Sequence, residues 1–205
     1  MKKKIILFAA AMLISCLIAG CQVEKKADKF HRELENISKI NSKDDKDTGS
    51  DNKVGNLDEN RIISDQSFQT ELEDWRDVRF VSYSPKEDSD FEDVSFYLMK
   101  DNKVVYSFPY YGENNKTDQY AGLFDSVESV AFQDVNGDNL RDVIVIINYI
   151  TGAGPQGMEP RPKVRIFLAD KKDFILAKEM TDDVNDHVEE KDMSMDHILE
   201  YLKNK

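Results

Sequence analysis

Val130-Ala131-Phe132-Gln133-Asp134-Val135-Asn136-Gly137-Asp138-Asn139-Leu140-Arg141-Asp142-Val143-Ile144-Val145 sets two apolar, β-branched runs on either side of a turn rich in side-chain oxygens. Short β-branched runs bounded by Asn, Asp and Gly read as strands joined by a loop. The same signal recurs outward from this stretch, at Val78 to Tyr83, Val94 to Met99, Val104 to Tyr110, Val127 to Phe132, Val143 to Ile150, Val164 to Leu168 and Phe174 to Glu179. Asp101-Asn102-Lys103 falls between two of these runs and reads as a hairpin turn, with Asn102 tolerant of positive φ. Phe68, Leu72 and Trp75 at helical spacing predict a short opening helix. Met195, Ile198, Leu199 and Leu202 behind Ser194 as N-cap predict a docking helix at the C-terminus. The fold class is therefore α+β: a strand-rich antiparallel sheet domain with a short opening helix and a C-terminal docking helix.

The turn itself carries the clearest chemistry. Oxygen side chains stand at its first, third, fifth and ninth positions, Asp134, Asn136, Asp138 and Asp142. A tight loop points alternate side chains inward, and calcium takes ~6–8 hard oxygen ligands. Three carboxylates drawn together without a cation would repel one another. An EF-hand is excluded, because its sixth and twelfth positions need Gly and Glu where this chain has Asn139 and Val145. With Phe132 before it and the strand Val143 to Ile147 after it, the loop resembles the calcium loop of FG-GAP or VCBS repeats, departing from it at Asn139, where Gly is usual. That resemblance implies calcium held by the side chains of Asp134, Asn136, Asp138 and Asp142 and by the Leu140 carbonyl, as a structural staple. It covers about 20 residues and no second copy occurs, so a propeller of repeats is not implied.

The following strand opens into Thr151-Gly152-Ala153-Gly154-Pro155-Gln156-Gly157-Met158-Glu159-Pro160-Arg161-Pro162. Three glycines and three prolines make a shaped loop, and such loops often carry binding residues. Tyr149, Met158 and Arg161 are the candidate partner-binding residues, with a merely structural crossover as the blander alternative. A phosphate cradle is excluded, since no helix pattern follows the glycines.

At the N-terminus, Lys2, Lys3 and Lys4 precede an apolar and small-residue run from Ile5 to Gly20, the layout of an export signal. About 16 residues fall short of the ~20 needed to span a bilayer. The run ends in Leu17-Ile18-Ala19-Gly20-Cys21, which resembles the lipobox of bacterial lipoproteins and implies cleavage before Cys21 and lipidation of its thiol. The organisation expected is a leader over 1–20 that is removed, a lipidated cysteine and flexible acidic tether over 21–65, and one globular domain over 66–205. Within the tether, Phe30, Leu34, Ile37 and Ile40 suggest a short amphipathic helix from Lys25 to Ile40. Cys16 leaves with the leader, so no disulfide can form.

The formal charge of −12 deepens to −15 once the three leader lysines are gone. That argues against nucleic acid as a partner. No nucleophile or catalytic base motif stands out, so the chain is not expected to be an enzyme. The reading is a membrane-anchored extracytoplasmic lipoprotein with a calcium-stabilised domain, a non-enzymatic binding or interaction module for an unknown partner. The alternative is an extracytoplasmic enzyme acting on envelope polymers with a structural calcium. The lipid anchor implies a place on the outer face of the cell membrane, and the Lys, Asn, Asp and Ile bias suggests a Gram-positive host.

Overall fold

The computed structural model describes residues 57–205 apart from 73, 88, 90 and 118–121. The leader, Cys21 and the Lys25 to Ile40 helix lie outside these residues.

Eight antiparallel strands form two four-stranded meanders. The first holds β1 (Phe68–Leu72), β2 (Trp75–Tyr83), β3 (Ser95–Lys100) and β4 (Lys103–Ser107) in that order. The second holds β5 (Leu123–Gln133), β6 (Asp142–Ile150), β7 (Arg161–Asp170) and β8 (Asp173–Leu176). Two helices follow, α1 (Lys178–His187) and α2 (Met195–Lys203). The α+β, strand-rich class is thus what the chain adopts.

Alternation of side chains along each strand builds three layers. Phe80 and Phe96 of the first sheet meet Val143, Val145 and Phe167 of the second in one buried cluster. Phe80 stacks on Phe96 and meets Phe108 and Phe132 edge-on at 5.4–5.5 Å, the offset and T-shaped arrangements that ring quadrupoles favour. The other face of the second sheet, with Ile144, Ile146, Val164 and Ile166, packs on Val184 of α1 and on Ile198 and Leu202 of α2. The central strand β6 is therefore apolar on both faces, which is why its sequence is an unbroken run. In β5, Phe124, Val127, Val130 and Phe132 all join the inter-sheet cluster despite their uneven spacing. Register shifts between Phe124 and Ser126 and between Val127 and Ser129 make this fit, since each extra residue turns the strand over.

Three expectations are corrected. Phe68 to Trp75 is not a helix but strand β1 and the start of β2. A spacing of four residues returns to the same face of a strand as well as of a helix, and Thr70 and the pairing Phe68↔Phe80 favour the sheet. The folded part also begins before residue 66. Short 3-10 turns at Glu59–Arg61 and Ser64–Gln66 lead in, Ile62 bridges Tyr83, and Ile63 packs on the core. Finally, Lys178 and Glu179 belong to α1 rather than to a strand. Its buried side chains, Thr181 and Val184, include a polar one, so an apolar stripe was hard to see. The hairpin at Asp101 and Asn102 is present with φ of 50° and 59°, and Ser194 caps α2 by accepting from His197 N–H.

Strand β8 pairs only with Phe167 to Asp170, leaving the earlier half of β7 without a strand partner on that side. Helix α1 supplies one in side chains. Asn185 accepts from Val164 N–H at 2.8 Å and donates to Val164 C=O at 3.1 Å, and Thr181 Oγ1 accepts from Ile166 N–H at 3.1 Å. Exposed ladder groups are thereby paired without another strand.

One ion pair ties the sheets together. Arg165 on β7 and Asp93, just before β3, are 6% and 3% exposed, and the guanidinium donates to the Asp93 carboxylate and to the Tyr149 hydroxyl. Tyr149 in turn donates to Asp93 at 3.1 Å, and Val94 N–H adds a bond at 2.8 Å. Burial opposes the guanidinium charge, but the Tyr149 oxygen and the Asp93 carboxylate outweigh it and raise its pKa. Removing one member of a buried pair strands the other charge, which costs about 3–5 kcal/mol. Arg165→Met is expected to lose stability on that scale in urea melts, and adding Asp93→Asn should recover part of it. Equal losses in the single and double variants would mean that the two charges are not coupled.

Candidate functional site

The loop between β5 and β6 folds around its own carboxylates. Asp134 accepts from Gly137 N–H at 2.7 Å, Asn139 N–H at 2.9 Å and Asn136 N–H at 3.2 Å. Asp138 accepts from Leu140 N–H at 2.7 Å and from the Asn136 side-chain amide at 2.9 Å, while Asn136 Oδ1 accepts from Asp138 N–H at 3.0 Å. These bonds need a chain that reverses twice, and Gly137 and Asn139 provide it at φ of 81° and 68°. Asn is the residue after Gly that best tolerates this region, so its presence in place of the usual Gly leaves the turn intact.

Asp142 does something else. Its side chain is fully buried, with Oδ2 accepting from Val135 N–H and Oδ1 from Ala169 N–H, both at 2.9 Å. It therefore fastens the start of the loop to the end of β7. Burial, reinforced by the nearby Asp138 and Asp134 charges, pushes its carboxyl up to about 6 against the pull of those two N–H groups.

The sequence-predicted ligands are thus brought to one turn, with Leu140 half-buried against the inter-sheet core. Among the described residues, no three His, Cys, Asp or Glu side chains come close enough together to hold a metal ion. The oxygens face backbone N–H groups instead. The donor set nevertheless fits calcium chemically: every candidate is a hard oxygen, and a carboxylate offers about four lone-pair sites, of which each Asp here uses only some.

The predicted binding loop is divided by the structure. Tyr149 is a strand residue, 1% exposed and committed to Asp93 and Arg165, so it offers nothing to a partner. Its side chain faces the inter-sheet core because odd-numbered β6 residues do so. Met158 is 72% exposed, and Arg161 opens β7 on the surface. Ahead of Met158 the loop is held by its own bonds, Gly152 N–H to Gly157 C=O at 2.9 Å and Gly157 N–H to Gly154 C=O at 3.1 Å. Gly157 sits where a Cβ would meet the Ala153 backbone at 2.5 Å, so only glycine fits this turn without a shift.

Two features escaped the sequence reading. One is the Asp93, Tyr149 and Arg165 knot, whose members are 72 residues apart at the extremes. The other is a cleft beside Tyr83, Tyr97 and Tyr110, whose only advance signal is a tyrosine on each of three separate segments. No family model matches the chain, and no curated protein or solved structure matches it either.

The Asp142 shift sets a pH dependence. A carboxyl raised in the folded state stabilises below its unfolded pKa, and that contribution is lost as pH climbs through the folded value. In chelator, wild type should therefore lose stability relative to Asp142→Asn between about pH 4 and pH 6, and the difference should level off above that. Parallel pH profiles of the two proteins in urea melts would show instead that the Asp142 carboxyl does not titrate in this window.

Proposed function

We propose that the chain is a lipid-anchored extracytoplasmic binding protein, non-enzymatic, whose single domain is stapled by calcium at the β5–β6 loop. The observation that carries this is the single tight turn that gathers the side-chain oxygens of Asp134, Asn136, Asp138 and Asp142 between β5 and β6. A cation there would offset the like charges of the three carboxylates. Asp134, Asn136, Asp138 and Asp142 side chains and the Leu140 carbonyl would hold it, and the ion would supply charge neutralisation alone.

The rest of the domain supplies rigidity. Asp142 already joins the loop to β7, so an ion at the loop would strengthen a joint between two strands of the second sheet. The anchor is supported by the basic start, the apolar run and Cys21 in its lipobox-like setting. Two acyl chains suffice for stable membrane attachment, where one is marginal. A position on the outer face of the cell membrane follows, with the domain facing its partner outside.

Calcium affinity should fall in the weak extracellular range, ~10⁻⁴ to 10⁻³ M, because the loop lacks a bidentate Glu. At ten times the dissociation constant the ion adds about 1.4 kcal/mol by mass action, a few degrees in Tm. Thermal melts of the full chain in detergent, with calcium and with chelator, should show that increment in wild type and lose it in Asp138→Ala. A wild type indifferent to millimolar calcium would leave the loop as an acidic turn.

The anchor has its own test. Cys21→Ala should abolish incorporation of a fatty-acid analogue in metabolic labelling, since the only other cysteine is Cys16 in the leader. Label persisting on that variant would sink the lipoprotein reading.

A further inference from the structure

The two outer faces of the domain differ. The helices cover the outer face of the second sheet. The first sheet instead carries a cleft of about 540 Å³, within the ~300–1,000 Å³ typical of small-ligand sites. Its charged lining is Arg61, Lys86, Lys116 and Glu92. Three cations against one carboxylate reverse the balance of the whole chain, which has 28 basic residues against 40 acidic ones.

Glu92 gathers the three cations. Its Oε1 lies 3.4 Å from the Arg61 guanidinium, its Oε2 accepts from Lys86 N–H at 3.0 Å, and its backbone bridges that of Lys116. Bonds on either side of that bridge, Asp93 N–H to Asn115 C=O at 2.9 Å and Thr117 N–H to Phe91 C=O at 2.8 Å, fix Lys116 across from it. Arg61 is held twice more. Its Nε donates to the Ser84 carbonyl at 2.9 Å, and its guanidinium carbon lies 4.3 Å from the centre of the Tyr83 ring.

Only Arg61 has its charge answered. Among the described residues no acid forms an ion pair with the ammonium of Lys86 or Lys116, and the neighbouring Glu87 and Glu113 are exposed and outside the lining. Cations collected in this way repel one another unless an anion lies among them. Arg61 itself has five N–H donors, of which Ser84 and Glu92 take two. Neutral donors stand beside it in the lining, the Tyr110 hydroxyl and the Asn114 carboxamide. Asn114 is held in left-handed backbone, φ 53°, and strained positions of this kind cluster at binding sites.

We infer that this cleft binds a phosphate group, an inference that rests on the reading of the chain as a binding module and names its ligand class. The lining has an excess of two positive charges, and a phosphate monoester carries about −1.5 to −2 at neutral pH. A carboxylate carries a single charge and would leave the second unanswered. Phosphate also offers three acceptor oxygens directed apart, which suits cations supplied by three separate segments of chain. The guanidinium meets such oxygens as a planar fork and the ammoniums as point charges. The net negative charge of the rest of the chain is screened beyond about 8 Å at physiological salt, so it does not cancel the cleft at contact.

The test is isothermal titration calorimetry on the full chain in nonionic detergent with chelator, using glycerol 3-phosphate as the probe. It should bind saturably with a Kd of about 1 mM or tighter. Lys86→Gln and Lys116→Gln should each weaken binding about fivefold, the effect of one unit charge at contact distance in water, with unchanged melts because both side chains are exposed. Lys172→Gln makes the same change in net charge outside the cleft and should bind as wild type does. Sodium acetate at equal ionic strength should not compete. Micelles doped with phosphatidylglycerol decide the source of the phosphate: displacement of the probe supports the site with a lipid headgroup as occupant, and undiminished binding supports it with a soluble ester. No saturable binding, acetate competing as well as phosphate, or a loss in Lys172→Gln equal to that in the cleft variants would overturn the inference. A calcium increment retained in melts of the same proteins would leave the proposed function standing.

Discussion

Arg165 takes a full positive charge into the seam between two apolar sheets, and the geometry around it follows from the need to answer that charge. Desolvating an ion pair costs several kcal/mol per ion, which the attraction between partners repays only when the geometry is good and the remaining donors and acceptors are met. Here Asp93, Tyr149 and Val94 N–H close the set from both sheets at once. A hydrophobic seam can slide by a residue and still bury its area, whereas a guanidinium has one place where its partners lie. The pair therefore contributes register between the sheets more than net stability. It also extends outward. The Arg165 guanidinium lies 5.2 Å from the Tyr111 ring centre, and Tyr111 donates to Asp182 of α1 at 2.5 Å, so a polar path runs from the first sheet through the second to the helical layer.

That fixed stack gives each face a different task. Asp142 ties the β5–β6 loop to Ala169 on β7, which makes the loop an extension of the sheet rather than an appendage. The cleft around Arg61 and Tyr83 belongs to the first sheet, and Asn115, which also lines it, bonds the Asp93 carbonyl and Ser95 Oγ. Asp93 thus serves the seam with its carboxylate and the cleft with its carbonyl. A single residue couples the placement of the two sheets to the shape of that cleft.

How far the sequence revealed all this depended on whether the information was local. The β-branched run in Val143 to Ile150 and the oxygen spacing from Asp134 to Asp142 are properties of contiguous residues, and both the strands and the turn were legible. Asn139 could be accepted in a left-handed position from its side chain alone. Phe68, Leu72 and Trp75 were ambiguous because their spacing suits two periodicities, and only pairing with Phe80 resolves it. Helix α1 was hidden because its inner face uses Thr181 and Asn185 to bond a strand edge instead of an apolar stripe to fill a core. Tyr149 was misplaced for a related reason. Its polar end suggests surface, and its buried partners come from segments 16 and 56 residues away.

The Asn185 bond pair to Val164 carries a liability that neither sheet shares. A backbone ladder is chemically inert, but a carboxamide is among the thermolabile groups of a protein. Hydrolysed to aspartate, Asn185 would keep its acceptor and lose its donor, leaving the Val164 carbonyl facing a carboxylate. Such a change, of one dalton, would loosen the joint between α1 and β7 and bare part of a strand edge.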